Sequence, residues 1–146
     1  MHIRELQWIE PIQAMRRLAD QANLAFLDSA AGHEALGRYS YLSCDPFSTY
    51  MIADAQASCN GDVVKGDPWN VLRDLLARYP QEHRPELPPF QGGAAGFFGY
   101  DMNRTLERLG APAISGQRLP QAILHFYDVV VSFDHPFQRC FIVSTG

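Results

Sequence analysis

Asp134 and His135 stand side by side in "SFDHPF", and a carboxylate beside an imidazole is the shortest acid–base pair a sequence can offer. Neighbouring side chains of an extended segment point to opposite faces, which spoils that geometry. The expectation is a strand-end turn carrying a solvated aspartate. Asp101, Glu107 and Asp128 are scattered, and no pair has a spacing that suggests a Mg²⁺ site. Cys44, Cys59 and Cys140 are odd in number, far apart and without a CxxC pair, which reads as buried, reduced thiols rather than a metal or redox site. His125 lies on an otherwise apolar stripe and reads as a hydrogen-bonded core residue. His2, His33 and His83 sit in polar or terminal contexts. These residues assign no catalytic group and no metal ligand.

The stretch "LPPFQGGAAGFFGYD", Leu87 to Asp101, poses a different question. Gly92, Gly93, Gly96 and Gly99 alternate with Phe97, Phe98 and Tyr100, so the backbone is free to come close to something while aromatic rings pack. The spacing GGxxGxxG lacks the GxG turn of a dinucleotide fingerprint, and no Lys-Ser/Thr of a phosphate loop follows. A tightly packed strand crossing a second sheet and a ligand loop both remain open.

The elements that must position these residues can be read along the chain. "HIRELQW" is a strand, and "EPIQAMRRLADQ" a helix with Pro11 in its first turn and Ile12, Met15, Leu18 and Ala22 on one face. "LAFLDSA" is a short strand and "AGHEALG" a loop. The stretch from Arg38 to Val64 reads as antiparallel sheet, bent at Asp45-Pro46 and turned at Asn60-Gly61. "GDPWNVLRDLLARYP" is the clearest helix: Asp67 caps it, Pro68 opens it, Trp69, Leu72, Leu76 and Tyr79 form its stripe, and Pro80 stops it. "QEHRPELPP" is a connector rather than a boundary, and "MNRTLERLG" a short helix. "QAILHFYDVVVSFDH" and "QRCFIVSTG" are two long strands joined by a turn at His135-Pro136, the first with two largely apolar faces, as inside a layered structure. The fold class expected is α+β, mostly antiparallel sheets in layers with two to three helices, over residues 1–146 as one domain.

The totals bound the partners. The chain has 146 residues, 47% hydrophobic and 19% charged, with a formal net charge of −4. That suits a folded domain, and no run of Lys or Arg tracks a phosphate backbone, so nucleic acid is not an expected partner. No apolar stretch approaches a membrane span or a leader, so a soluble, cytoplasmic protein is expected. Ending on a strand, "CFIVSTG", suggests a part of something longer.

Four segments carry a resemblance in the same order: "FLDSA", "GRYSYLSCDP", "PPFQGGAAGFFGYD" followed by Glu107, and "YDVVVSFDH". Together they resemble the N-terminal region of the chorismate-utilising enzymes, which include the large subunits of anthranilate synthase and aminodeoxychorismate synthase. "PFQGG" and "FDH" are more similar to the aminodeoxychorismate branch. The resemblance implies an enzyme that binds chorismate with Mg²⁺ and adds ammonia delivered by a glutamine amidotransferase, giving 4-amino-4-deoxychorismate for p-aminobenzoate and folate, or anthranilate for tryptophan in the runner-up. It implies that the metal and substrate ligands belong to a C-terminal region absent from this chain. The 1–146 fragment would be an inactive effector and scaffold domain. Its glycine strand would press against the missing half, with Phe97, Phe98 and Tyr100 filling the space between sheets, and its open apolar face would self-associate or bind that half. A stand-alone amino-acid-binding domain is the reading from another class.

Relatives hold tryptophan in this region, and the matching positions are Asp28, Ser29, Leu36, Gly37, Arg38 and Tyr39. A zwitterion needs donors for its carboxylate, an acceptor for its ammonium and an apolar slot. The Ser29 hydroxyl and backbone N–H groups would serve the first, Asp28 the second, and packing beside Tyr39 the third.

Overall fold

The computed structural model describes residues 1–29, 37–100, 102, 107 and 119–146. The loop ahead of Gly37, almost all of the expected short helix after Tyr100, and the site residues Leu36 and Asp101 lie outside the described residues. In chain order the elements are β1 (His2–Leu6), α1 (Pro11–Arg17), β2 (Ala25–Leu27), β3 (Tyr39–Ser43), β4 (Ser48–Ala53), β5 (Gln56–Cys59), β6 (Asp62–Val64), α2 (Pro68–Ala77), β7 (Gly93–Phe98), β8 (Ala122–Tyr127), β9 (Val129–Asp134) and β10 (Arg139–Ser144). Two sheets of mostly antiparallel strands and two helices give the expected α+β class. By its internal contacts the chain divides into two compact units, Met1–Phe47 with Gln81–Ala95 and Phe126–Gly146, and Ser48–Pro80 with Gly96–His125.

The first unit holds a sheet in the order β1-β10-β9-β3-β2, each pair antiparallel. Its register puts Cys140 opposite Phe133, and Phe133 opposite Ser40. Strand alternation then sorts the sheet into two faces. Leu42, Phe133 and Cys140 form one, and Trp8, Ala14 and Met15 pack on it from α1 and the approach to that helix. Phe141 and Val143 point the other way and are covered by Leu87. The Pro-rich connector therefore supplies a wall of the first unit. Pro11 opens α1, and Arg16 and Arg17 in its last turn complement the helix dipole.

The second unit carries a sheet in the order β6-β5-β4-β8-β7. Asn60 and Gly61 both adopt positive φ, 52° and 90°, as the mirror-image turn of a two-residue hairpin requires. Helix α2 starts where expected: an Asp67 carboxylate oxygen accepts from the Asn70 backbone N–H at 2.9 Å. Tyr50, fully buried on β4, donates its hydroxyl to the Pro68 carbonyl at 2.6 Å and ties the helix start to the sheet. The buried stripe is Leu72 and Leu75, whereas Leu76 and Tyr79 are about half exposed. The expected stripe is thus rotated by one position at its end.

Two further expectations change. The long strand through "QAILHFYDVVVSFDH" is broken at Asp128 into β8 and β9, which belong to different sheets. The Asp128 carbonyl takes the Thr145 N–H at 2.8 Å at that point, so the chain is turned while its backbone bonds stay satisfied. Asp45, with φ 52°, separates β3 from β4 in the same manner. The glycine strand also differs. β7 is the outermost strand of its sheet among the described residues, and Phe97, Phe98 and Tyr100 are exposed rather than enclosed between sheets. The close approach that demands glycine is internal: a Cβ on Gly96 would run into the Ile123 backbone carbonyl of β8. Gly92, at φ 142°, and Gly93, at φ 108°, turn the chain beside the Gln81 side-chain amide. Gly99 brings its N–H onto Gln121 O at 2.7 Å.

Candidate functional site

The polar residues of interest gather at the end of the first sheet where β3 begins and β9 finishes. Ser40 is fully buried and makes three hydrogen bonds there. Its hydroxyl donates to Asp28 Oδ1 at 3.0 Å, its oxygen accepts from the Ser29 backbone N–H at 3.1 Å, and His135 Nε2 lies 2.8 Å away. A hydroxyl has one proton to give and two lone pairs. An ionised carboxylate only accepts, so the proton goes to Asp28 and His135 must donate through Nε2–H. The Trp8 ring meets the His135 ring edge-on at 6.1 Å. Asp28 continues past the end of β2, whose Leu27 lies opposite Tyr41, so it falls opposite Ser40 on the face shared with Trp8.

The opposite face carries a second cluster. Arg38 donates through Nε and Nη2 to both oxygens of Asp134, at 3.0 and 2.7 Å. Its guanidinium also lies 4.8 Å from the Tyr39 ring centre and 5.1 Å from that of Phe137. The Asp134 hydrogen bonds push the Arg38 pKa upward. With Arg139 and Glu86, these residues line a cleft of about 260 Å³. Arg139 is itself held by Glu5, at 2.8 and 3.0 Å.

The expected solvated aspartate is corrected here. Asp134 is not solvated: it is 6% exposed and paired across the sheet end with Arg38. The divergence of Asp134 and His135 stands, since each joins the cluster on its own face. The Ser29 N–H is held by the Ser40 hydroxyl oxygen at 3.1 Å, and the Ser29 hydroxyl donates to the Tyr39 carbonyl at 2.5 Å. Asp28 has its Oδ1 engaged by Ser40 among the described residues. Gly37 lies at the entry to β3. Ser40 and His135 were missed as members of the cluster. Residue type gave no signal for them, since Ser40 meets Asp28 and His135 only when β2, β3 and the end of β9 come together.

Ser40, His135 and Asp28 form no nucleophilic triad. A triad needs the imidazole between the hydroxyl and the carboxylate, whereas here both bind the hydroxyl. Among the described residues no group of three or more His, Cys, Asp or Glu stands together as metal ligands, and Asp134 is committed to Arg38, so these residues do not fit a Mg²⁺ site. No helix among them is long and apolar enough to cross a membrane. Cys140 is fully buried, and burial pushes its thiol up to about 11, as expected for an inert core thiol. His125 is partly buried with Nδ1 2.9 Å from Thr49 Oγ1, and burial lowers its pKa.

The fold has a solved counterpart. Anthranilate synthase component I from Streptococcus pneumoniae matches 94% of this chain with a TM-score of 0.67 and 27% identity, over 30% of its own length. Curated relatives carry the same name: "Anthranilate synthase component 1" of Acetivibrio thermocellus is 30% identical over 138 residues, that of Mycobacterium tuberculosis 34% over 134, and that of Thermus thermophilus 31% over 137. The chain spans only 28%, 26% and 29% of those three proteins. No protein-family model matches it. Nearly the whole chain is therefore similar to a fraction of anthranilate synthase component I. All of these relatives carry the anthranilate name.

Proposed function

We propose that the chain is the N-terminal, non-catalytic part of a chorismate-utilising enzyme of the anthranilate synthase component I type. What supports this reading is the similarity over 91% of the chain to a protein of that name, with a matching fold. The whole enzyme would work in the cytoplasm. It would bind chorismate and Mg²⁺ through a C-terminal region and take ammonia from a glutamine amidotransferase. The fragment would scaffold that region and hold an amino-acid effector such as tryptophan. The aminodeoxychorismate synthase reading is second, favoured by "PFQGG" and "FDH".

The test joins the reading frame beyond Gly146 to a product assay with chorismate, Mg²⁺ and ammonium. A frame continuing into a chorismate-binding region, with anthranilate formed, is the expected result. Formation of 4-amino-4-deoxychorismate would hand the case to the second reading, and turnover by residues 1–146 alone would overturn both. The isolated chain is expected to self-associate or to bind the C-terminal region through its exposed apolar residues, among them Phe97, Phe98 and Leu119. Light scattering that returns a clean monomer, unchanged by that region, would count against it.

A further inference from the structure

Gln91, the middle residue of "PFQGG", is 4% exposed, and its side chain takes the place of a neighbouring strand. We propose that Gln91 is a latch: its amide holds residues 84–91 closed as a strap over one face of the first sheet, and the strap opens as a unit while the sheet beneath stays folded. Pro85, Pro88 and Pro89 have no N–H to give, so this segment cannot join a ladder. Gln91 replaces one. Its Oε1 accepts from the Arg84 backbone N–H at 2.9 Å, and its Nε2 donates to Arg84 O at 2.7 Å and to Pro88 O at 3.2 Å. Both amide protons are used, and both backbone groups of Arg84 are taken as a paired strand would take them. Inside the loop so closed, the Leu87 N–H bonds Arg84 O at 3.2 Å.

What the latch closes over is apolar. Leu87 lies on Phe141 and Val143, and the Phe90 ring meets the Tyr41 ring edge-on at 5.6 Å. Pro85, Glu86, Leu87 and Pro88 also form one wall of the cleft of about 260 Å³, so opening the strap moves that wall. At its far end the strap leads into Gly92 and Gly93, whose positive φ angles are open to glycine and suit a hinge. A buried amide cannot give up one of its bonds without leaving polar groups unmet, so the three break together. With no ladder bonds of its own, the strap opens at a lower cost than β9 and β10, which pair along their whole length.

Thiol labelling of the full chain reads this, because β10 offers a probe on each face. Val143→Cys places a thiol under the strap, whereas Cys140 lies on the opposite face, which α1 covers. Each site's rate is compared with its own rate when Gln91 is intact, so the thiols' intrinsic reactivities cancel. Gln91→Met, of similar length but without the amide, should speed labelling at position 143 about tenfold, as loss of a buried hydrogen bond does. Cys140 should be unaffected. Gln91→Glu keeps an acceptor for the Arg84 N–H but, when ionised, has no proton for either carbonyl, and should free the strap likewise. Equal acceleration at both thiols would show that Gln91 supports only the fold as a whole. Unchanged labelling at position 143 would show that packing, not the amide, holds the strap. Either result overturns the proposal. Hydrogen exchange tests it without a variant at position 91: the Arg84 and Leu87 amides should share one protection factor, lower than that of β9 and β10. A single protection factor common to strap and strands overturns it as well.

Discussion

At the Tyr39 end of the first unit the buried groups are polar and paired: Ser40 with Asp28 and His135, Asp134 with Arg38. At the outer strand of the second unit the exposed groups are apolar: Phe97 and Phe98 on β7 are 47% and 49% exposed, and the Phe98 ring stacks on Trp69 at 5.8 Å. Each region departs from the ordinary sorting of polar outward and apolar inward, and they do so for different reasons. Buried polar groups are tolerable only when every donor and acceptor is matched, which specifies one arrangement. Half-exposed aromatic rings specify nothing by themselves and mark where a cover would lie. The buried polar groups of the first region are paired among the described residues, whereas the second region is defined by what would press on it.

The strongest way to break that contrast is Gly96→Ala. The added Cβ collides with the Ile123 carbonyl, a backbone atom that cannot swing aside. We expect a loss of about 3 kcal/mol in urea unfolding. An unchanged midpoint would mean that β7 is loosely held and that its glycine serves some contact outside the sheet.

Next comes Cys140→Ser in the core of the first unit. Cys140 packs among Leu42 and Phe133 and is fully buried. A hydroxyl there has no polar neighbour among the residues of that cluster, so about 2 kcal/mol should be lost. The wild-type thiol, raised to about 11 by burial, should also resist alkylation at pH 8 until the protein unfolds. Rapid labelling of the folded protein would show that the first unit opens far more readily than its polar end implies.

A matched pair of tyrosines sharpens the comparison further. Tyr127 donates to Asn23 O at 2.6 Å in the first unit, and Tyr50 to Pro68 O at 2.6 Å in the second. Removing either hydroxyl by Tyr→Phe should lower stability by about 1 kcal/mol. Similar losses would say that the two interiors are equally well made and that the contrast is confined to their edges. A loss at Tyr127 alone would extend it to the cores.

These sites also show what the sequence revealed. The Asp67 cap, the Asn60-Gly61 turn and the Pro11 and Pro68 helix starts are contacts within a few residues, where residue type dictates local geometry. The α+β class followed from strand periodicity. The Arg38–Asp134 pair was not legible, because it joins positions 96 apart, and neither residue's type names its partner. Ser40 was passed over since a serine alternating with tyrosines in a strand looks ordinary until Asp28 and His135 converge on it. The break at Asp128 was hidden because β8 and β9 are both apolar, and continuity of pattern does not reveal a change of sheet. The rotated stripe on α2 has a similar cause. Leu75 and Leu76 are equally apolar, and tertiary packing decides which one is enclosed.

The smallest effect, and the finest comparison, concerns the two histidines. His125 in the second unit is partly buried, and desolvation lowers its pKa from the ordinary 6.5. The folded state then resists a proton that the unfolded chain accepts. Stability is consequently full above pH 6.5, and it declines as pH falls below that value and through the lowered folded pKa. His125→Asn keeps a polar group beside Thr49 but cannot titrate, and its stability should be flatter between pH 7 and pH 5. Urea midpoints measured at half-unit intervals across that range compare the two proteins. A wild-type slope that survives unchanged in His125→Asn would assign the acid sensitivity to other groups.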